Sequence, residues 1–191
     1  MAASRLLVLA ATSLCALVSS GCYGVTIAPG HRGLFFDPDN GGLQREVLAS
    51  GYHRVGWRGH IEDFKVTYST HAEAVRARSQ DDVLVDVRVA VRYRPIVAEL
   101  YELDTEVGST YYDAVVAPEL RSTVRGVFSH HVYVDLQKQD EKLEDEVESD
   151  LRRRTRGTHV EISAITLESV AYAETQEAHH DTPTQMMTPL P

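Results

Sequence analysis

The chain reads as an α+β protein, with N-terminal antiparallel β-strands followed by helices and a closing strand. Three observations carry this reading. Residues 23–94 are rich in β-branched residues and divided by glycine and proline turns, without a helical period. Residues 95–156 switch to four-residue apolar spacing and dense charge. Residues 158–171 then return to strand composition. Elements segregated in this way, rather than alternating, mark an α+β domain.

The opening elements are short. Tyr23 to Ala28 and Gly33 to Asp37 read as strands separated by the Pro29-Gly30 turn. Pro38-Asp39-Asn40-Gly41-Gly42 is a second turn, with Asn40-Gly41 suited to the positive φ angles of a tight hairpin. Leu43 to Leu48 is the returning strand, ended by Gly51, so the domain is expected to open on a β-meander. Ile61 to Thr70 and His71 to Arg78 are further β-rich stretches.

The clearest strand is Asp82 to Arg94. Val83, Val85, Val87, Val89, Val91 and Tyr93 alternate with Leu84, Asp86, Arg88, Ala90 and Arg92. Such alternation places one face on the core and the other in water. Ser79-Gln80-Asp81 supplies the turn before it, and Pro95 ends it because proline cannot donate to the ladder.

Pro95 to Leu103 is expected to be a short helix with proline at its start. Tyr111 to Phe128 is a longer one, in which Leu120, Val124 and Phe128 share a face and Pro118 begins or kinks the helix. Asp135 is the expected N-cap of a helix to about Thr155, with Leu136, Leu143, Val147 and Leu151 as its apolar stripe. Acidic residues (Asp140, Glu141, Glu144, Asp145, Glu146) fill its early turns and Arg152, Arg153, Arg154 and Arg156 its end, as the helix dipole favours. In the closing strand Val160, Ile162, Ile165 and Leu167 keep one face only if the register shifts near Ala164. Residues 174–191 are polar, proline-bearing and aperiodic, and read as a disordered tail.

Residues 1–21 read as a signal peptide of the lipoprotein type. Arg5 precedes an apolar to weakly polar run from Leu6 to Val18, and the small residues Ser19, Ser20 and Gly21 precede Cys22. About 13 residues of helix span about 20 Å, short of the roughly 30 Å hydrocarbon core. Cys22 is therefore the expected lipidation site; an ordinary cleaved signal and a retained apolar anchor are the other two readings. All three place the body, residues 22–173, outside the cytoplasm or beside a membrane, in the cell envelope facing the periplasm or exterior. The remaining cysteine, Cys15, lies inside the apolar run, so the body has no disulfide of its own. The formal net charge of −9 argues against nucleic acid, and against holding to an anionic bilayer by charge alone.

Five segments in order carry a family resemblance: GHRGLFFDPDNGG, then SGYH with Gly51, Tyr52 and His53, then SQDDVLVDVRVAVRYRP, AVVAPELRSTVRGVFS and ISAITLESVAY. Together they resemble the stomatin/prohibitin/flotillin (SPFH, or band 7) domain over residues 23–173. The resemblance implies a membrane-associated scaffold or regulator of membrane partners, non-catalytic and without cofactor. Its implied contacts are the membrane, through an N-terminal lipid or apolar anchor, an unidentified membrane protein, and weak self-association. Two departures stand out. Gly56-Trp57 occupies a stretch where the family commonly has proline, and no heptad-bearing helix follows Ala173, so small assemblies are expected rather than large coiled-coil rings. The alternative reading is an exported soluble binding module with the same fold.

The chain holds no phosphate loop, no Gly-x-Ser-x-Gly and no His-Glu-x-x-His, and Gly41-Gly42 lacks the following helix that a phosphate site needs. Adjacent histidines such as His130-His131 and His179-His180 point to different sides and rarely chelate one metal; His179-His180-Asp181 is read as a solvated polar segment, with weak binding of a divalent ion as the other reading, and no metal, cofactor-binding or catalytic residue is assigned. His53 is read as a support for its turn. Asp86, Arg88 and Arg92 are read as a salt-bridged solvent face, or else a contact for a neighbouring subunit. The carboxylates from Asp140 to Asp150 lack calcium-loop spacing and are read as a solvated helix face. Trp57, near Tyr52 and Phe35, is expected in the core, with an interfacial anchor as the other reading.

Overall fold

The structure, a computed structural model, describes residues 23–138 and 141–173. Among the described residues eight strands come as β1 (Tyr23–Ile27), β2 (His31–Asp37), β3 (Gly42–Leu48), β4 (Gly51–Val55), β5 (His60–Lys65), β6 (Ser69–Arg78), β7 (Leu84–Pro95) and β8 (Val160–Tyr172). Between β7 and β8 lie α1 (Leu100–Glu106), α2 (Ala117–Phe128), α3 (Tyr133–Leu136) and α4 (Glu141–Arg154). The α+β order expected from composition is the order observed.

All pairings are antiparallel, in three sheets: β1-β4, β3-β2-β5 and β6-β7-β8. The opening strands are not a meander. β2 takes β3 on one side and β5 on the other, while β1 pairs across the chain with β4. Gly33 explains the close approach of these two sheets: a Cβ there would lie 2.7 Å from Ile27 Cδ1 and 2.5 Å from Ile61 Cγ2. The hairpin turn also differs from expectation. Positive φ falls on Gly41 and Gly42 rather than on Asn40, whose amide donates to the Asp37 carbonyl at 3.2 Å.

The valine strand alternates as expected from Val85 to Tyr93, except that Ala90, expected on the outer face, is buried and Val83 lies before the strand and is half-buried. Val85, Val87, Val89, Val91 and Tyr93 are buried, whereas Asp86, Arg88 and Arg92 are exposed. Its buried face joins Leu120, Val124 and Phe128 of α2 and Leu143, Val147 and Leu151 of α4 in one core, with Leu34 and Phe64 reaching in from the second sheet. The face shift near Ala164 is a bulge: Arg92 pairs with Ala164 and Tyr93 with Ile162, leaving Ser163 over. A second bulge leaves Glu168 over between Leu167 and Ser169.

Three helix boundaries depart from expectation. Pro95 does not start a helix; it is the last residue of β7, opposite Val160, and a 3₁₀ turn at Val97–Glu99 leads into α1. At such a strand end proline costs no ladder bond. Tyr112–Val116 is a π-turn, in which the Ala117 amide reaches back to the Tyr112 carbonyl. This widened turn precedes Pro118, whose ring an α-helical turn would press against the carbonyl four residues back. Asp135 is not an N-cap; it lies inside α3 and pairs with Lys138. The stripe from Leu136 to Leu151 is nevertheless buried throughout, across two helices instead of one.

Candidate functional site

The residue most opposed to expectation is Trp57. It is 82% exposed rather than in the core, and Tyr52 is 65% exposed. The turn that carries Trp57 is short: the Gly59 amide donates to the Gly56 carbonyl at 3.1 Å. Gly59 sits on Phe35, where a Cβ would come within 2.7 Å of the ring. Arg58 is held by Asp39 at 2.9 Å. The base of the turn at Gly59 is thus in contact with Phe35, while the indole two residues before it is exposed.

Strand pairing fixes what else lies at this end. Tyr23 is opposite Val55, so the chain enters β1 where β4 leaves toward Trp57. Phe36 is opposite His60, which brings the turn after β2 to the same end. Cys22, the expected lipidation residue, immediately precedes β1 and lies outside the described residues, as do the signal segment and the 174–191 tail with His179, His180 and Asp181.

His53 holds its turn as expected, its Nε2–H donating to the Ala49 carbonyl at 2.7 Å. Beside it is a cavity of about 340 Å³, walled by Phe35, Leu48 and Val55 and by charges of both signs, Asp37 and Glu46 against Arg45 and Arg54. His130 and His131 diverge, the first to the Gly126 carbonyl and the second to Glu146. Asp86 pairs with Arg76, Arg88 with Glu168, and Arg92 lies over the Tyr68 ring, a salt-bridged solvent face.

The acidic helix is only partly a solvated face. Glu144 accepts the Leu167 amide at 2.7 Å and Glu148 the Ile165 amide at 3.2 Å. Arg152 donates to the carbonyls of Ile162 at 3.0 Å and Ser163 at 2.8 Å. Positions 144, 148 and 152 recur every fourth residue, so one row of α4 lies along the open edge of β8. The four-residue spacing was visible in sequence; the strand it would meet was not.

Two polar clusters that sequence reading missed resemble catalytic arrangements and are structural. Glu73 accepts the Tyr112 hydroxyl at 2.8 Å on one oxygen and Arg121 at 2.9 Å on the other. Burial alone would raise its pKa, but those hydrogen bonds and the guanidinium charge hold it below the usual range, while burial and Glu73 push Tyr112 far up. Neither group is poised to exchange a proton near neutrality. His159, at a φ of 64°, bonds Glu99 at 2.9 Å and Glu106 at 3.2 Å. Burial would lower its pKa, yet the two carboxylates raise it. It lies on a cleft of about 500 Å³ shared with Arg152, Arg156 and Glu161. Neither cluster contains a nucleophile that a base activates. Among the described residues, no group of three or more His, Cys, Asp or Glu is placed to hold a metal.

Comparison with known proteins gives one family. The model described as SPFH domain / Band 7 family matches residues 25–185. No curated protein matches the chain.

Proposed function

The chain belongs to the SPFH domain / Band 7 family, and from that membership we propose that it works in the cell envelope, held on a membrane through a lipid at Cys22 or a retained apolar segment. Its role is that of a scaffold-type, non-catalytic protein. The body then lies on the periplasmic or exterior side and organises or regulates a membrane protein, with weak lateral contacts between copies.

The observation that carries this reading is the entry of the chain. The apolar run Leu6–Val18 is separated from β1 by only residues 19–22, and β1 begins at Tyr23 with no linker. Whatever holds residue 22 therefore holds the folded body within a few ångströms of it. Among the described residues no helix is long and apolar enough to cross a membrane; the attachment proposed is the N-terminal segment. Fractionation tests the proposal. The parent protein should sediment with membranes at both low and high salt, and Cys22→Ser should release it if lipid is the anchor. A parent protein found in the soluble fraction would favour the exported binding module instead.

A further inference from the structure

We infer that the turn Gly56–Gly59 seats Trp57 in the headgroup layer of the bilayer, with Tyr52 beside it, so that the body rests on the membrane by this end. The inference builds on the membrane attachment proposed above and adds the orientation and the contacting residues.

An indole is among the largest apolar groups a fold can bury, so a surface position calls for an explanation. Trp57 is 82% exposed and makes no hydrogen bond or ring contact among the described residues. Its neighbours in the turn are both held, Gly59 against Phe35 and Arg58 by Asp39. The indole is thus presented on a fixed support.

The direction it faces follows from pairing. β1 and β4 are antiparallel with Tyr23 opposite Val55. Trp57 is two residues beyond Val55, which places its Cα within about 7 Å of that strand end. Tyr23 is the first described residue of β1, and Cys22 is its neighbour in the sequence. Tyr52 leans the same way: a Cβ on Gly24 would sit 2.1 Å from the Tyr52 hydroxyl, so the ring lies diagonally across β1 toward its start. The two most exposed aromatic side chains of the described residues therefore flank the point where the membrane-bound segment meets the fold.

Their chemistry suits a lipid surface better than a protein groove. Tryptophan and tyrosine combine an apolar ring with a polar N–H or O–H and concentrate at headgroup depth. Within the turn the one charged side chain, Arg58, is paired with Asp39, so the contact is assigned to the aromatic rings rather than to attraction for anionic lipid.

Trp57 is the chain's single tryptophan, so its fluorescence reports on this turn alone. The full chain is reconstituted into phosphatidylcholine vesicles, and flotation is measured together with quenching by lipids brominated near the headgroup or near the acyl terminus. The expected result is flotation, a shift of emission to shorter wavelength, and loss of most intensity to the shallow bromines only. Flotation with water-like, unquenched emission would overturn the inference while leaving membrane attachment intact. Failure to float would overturn both. An indole unquenched in pure lipid vesicles but shielded from aqueous acrylamide in native membranes would assign the turn to a protein partner and also overturn it.

Discussion

Glu144 accepts the backbone N–H of Leu167 at 2.7 Å, closing one of the open positions along the edge of β8. With Glu148 and Arg152 it makes α4 a side-chain substitute for a neighbouring strand. Open edges invite pairing between molecules. Glu144→Ala with Glu148→Ala should therefore cost about 1–3 kcal/mol, the sum of two modest hydrogen bonds. It should also introduce self-association that grows with concentration. Asp145→Ala, on the exposed side of the same helix, is the control. Light scattering and thermal melts check both effects; a double variant indistinguishable from the control would mean the edge needs no cover.

Val87 is 2% exposed and pairs with Val75 and Val170 on neighbouring strands. Aspartate there would place an unpaired carboxylate among apolar side chains, at a cost of several kcal/mol. That is comparable with the whole stability of an ordinary domain. Val87→Asp should fail to give a cooperative melt, whereas Asp86→Asn, on the opposite face, should melt within a few degrees of the parent.

His159 makes stability depend on pH near neutrality. Burial opposes its charge, but Glu99 and Glu106 raise its pKa above the ordinary 6.5. A raised value means the folded state holds the proton more tightly. The stabilisation is therefore whole below about pH 6.5 and is lost as pH rises through the folded value. Glu73, Asp81 and Glu161, whose values are lowered, stay ionised across this window and do not mask it. The melting temperature should fall between about pH 6 and 8. In His159→Asn, which tolerates the left-handed backbone, that slope should be lost; a slope retained in the variant would place its origin elsewhere.

Thr123 is fully buried in α2, and its hydroxyl has no hydrogen-bond partner. A buried unsatisfied hydroxyl costs about 1–3 kcal/mol, and valine has nearly the same shape without it. Thr123→Val should leave the fold unchanged and raise stability by about 1 kcal/mol, read from denaturant midpoints. A lower midpoint would reveal a role for the hydroxyl.

The elements most legible in sequence are those whose pattern is local. Alternation from Val83 to Tyr93 gave the buried face of β7, because a strand's side chains alternate whatever surrounds it. The four-residue rows of α2 and α4 gave their buried stripes in the same way, and the break in the β8 pattern located its bulge near Ala164. Family membership was legible too, since it rests on the order of short motifs along the chain.

What depended on partners was not legible. β1 pairs with β4 rather than β2, and Ile27 instead packs against Gly33 of β2. Asp135 looked like a cap because its type suits one, but α3 ends at Leu136 and α4 begins afresh at Glu141. Trp57 looked like core because tryptophan usually is; its turn meets the fold at Gly59 on Phe35 and leaves the indole 82% exposed. The carboxylates of α4 showed their helix face in the sequence, but only the tertiary structure laid β8 beneath it. Periodicity is a property of one segment and can be read from that segment alone. Which surfaces meet depends on how sheets and helices exclude one another in space, and that packing decided the edge cover, the His159 pair and the exposed indole.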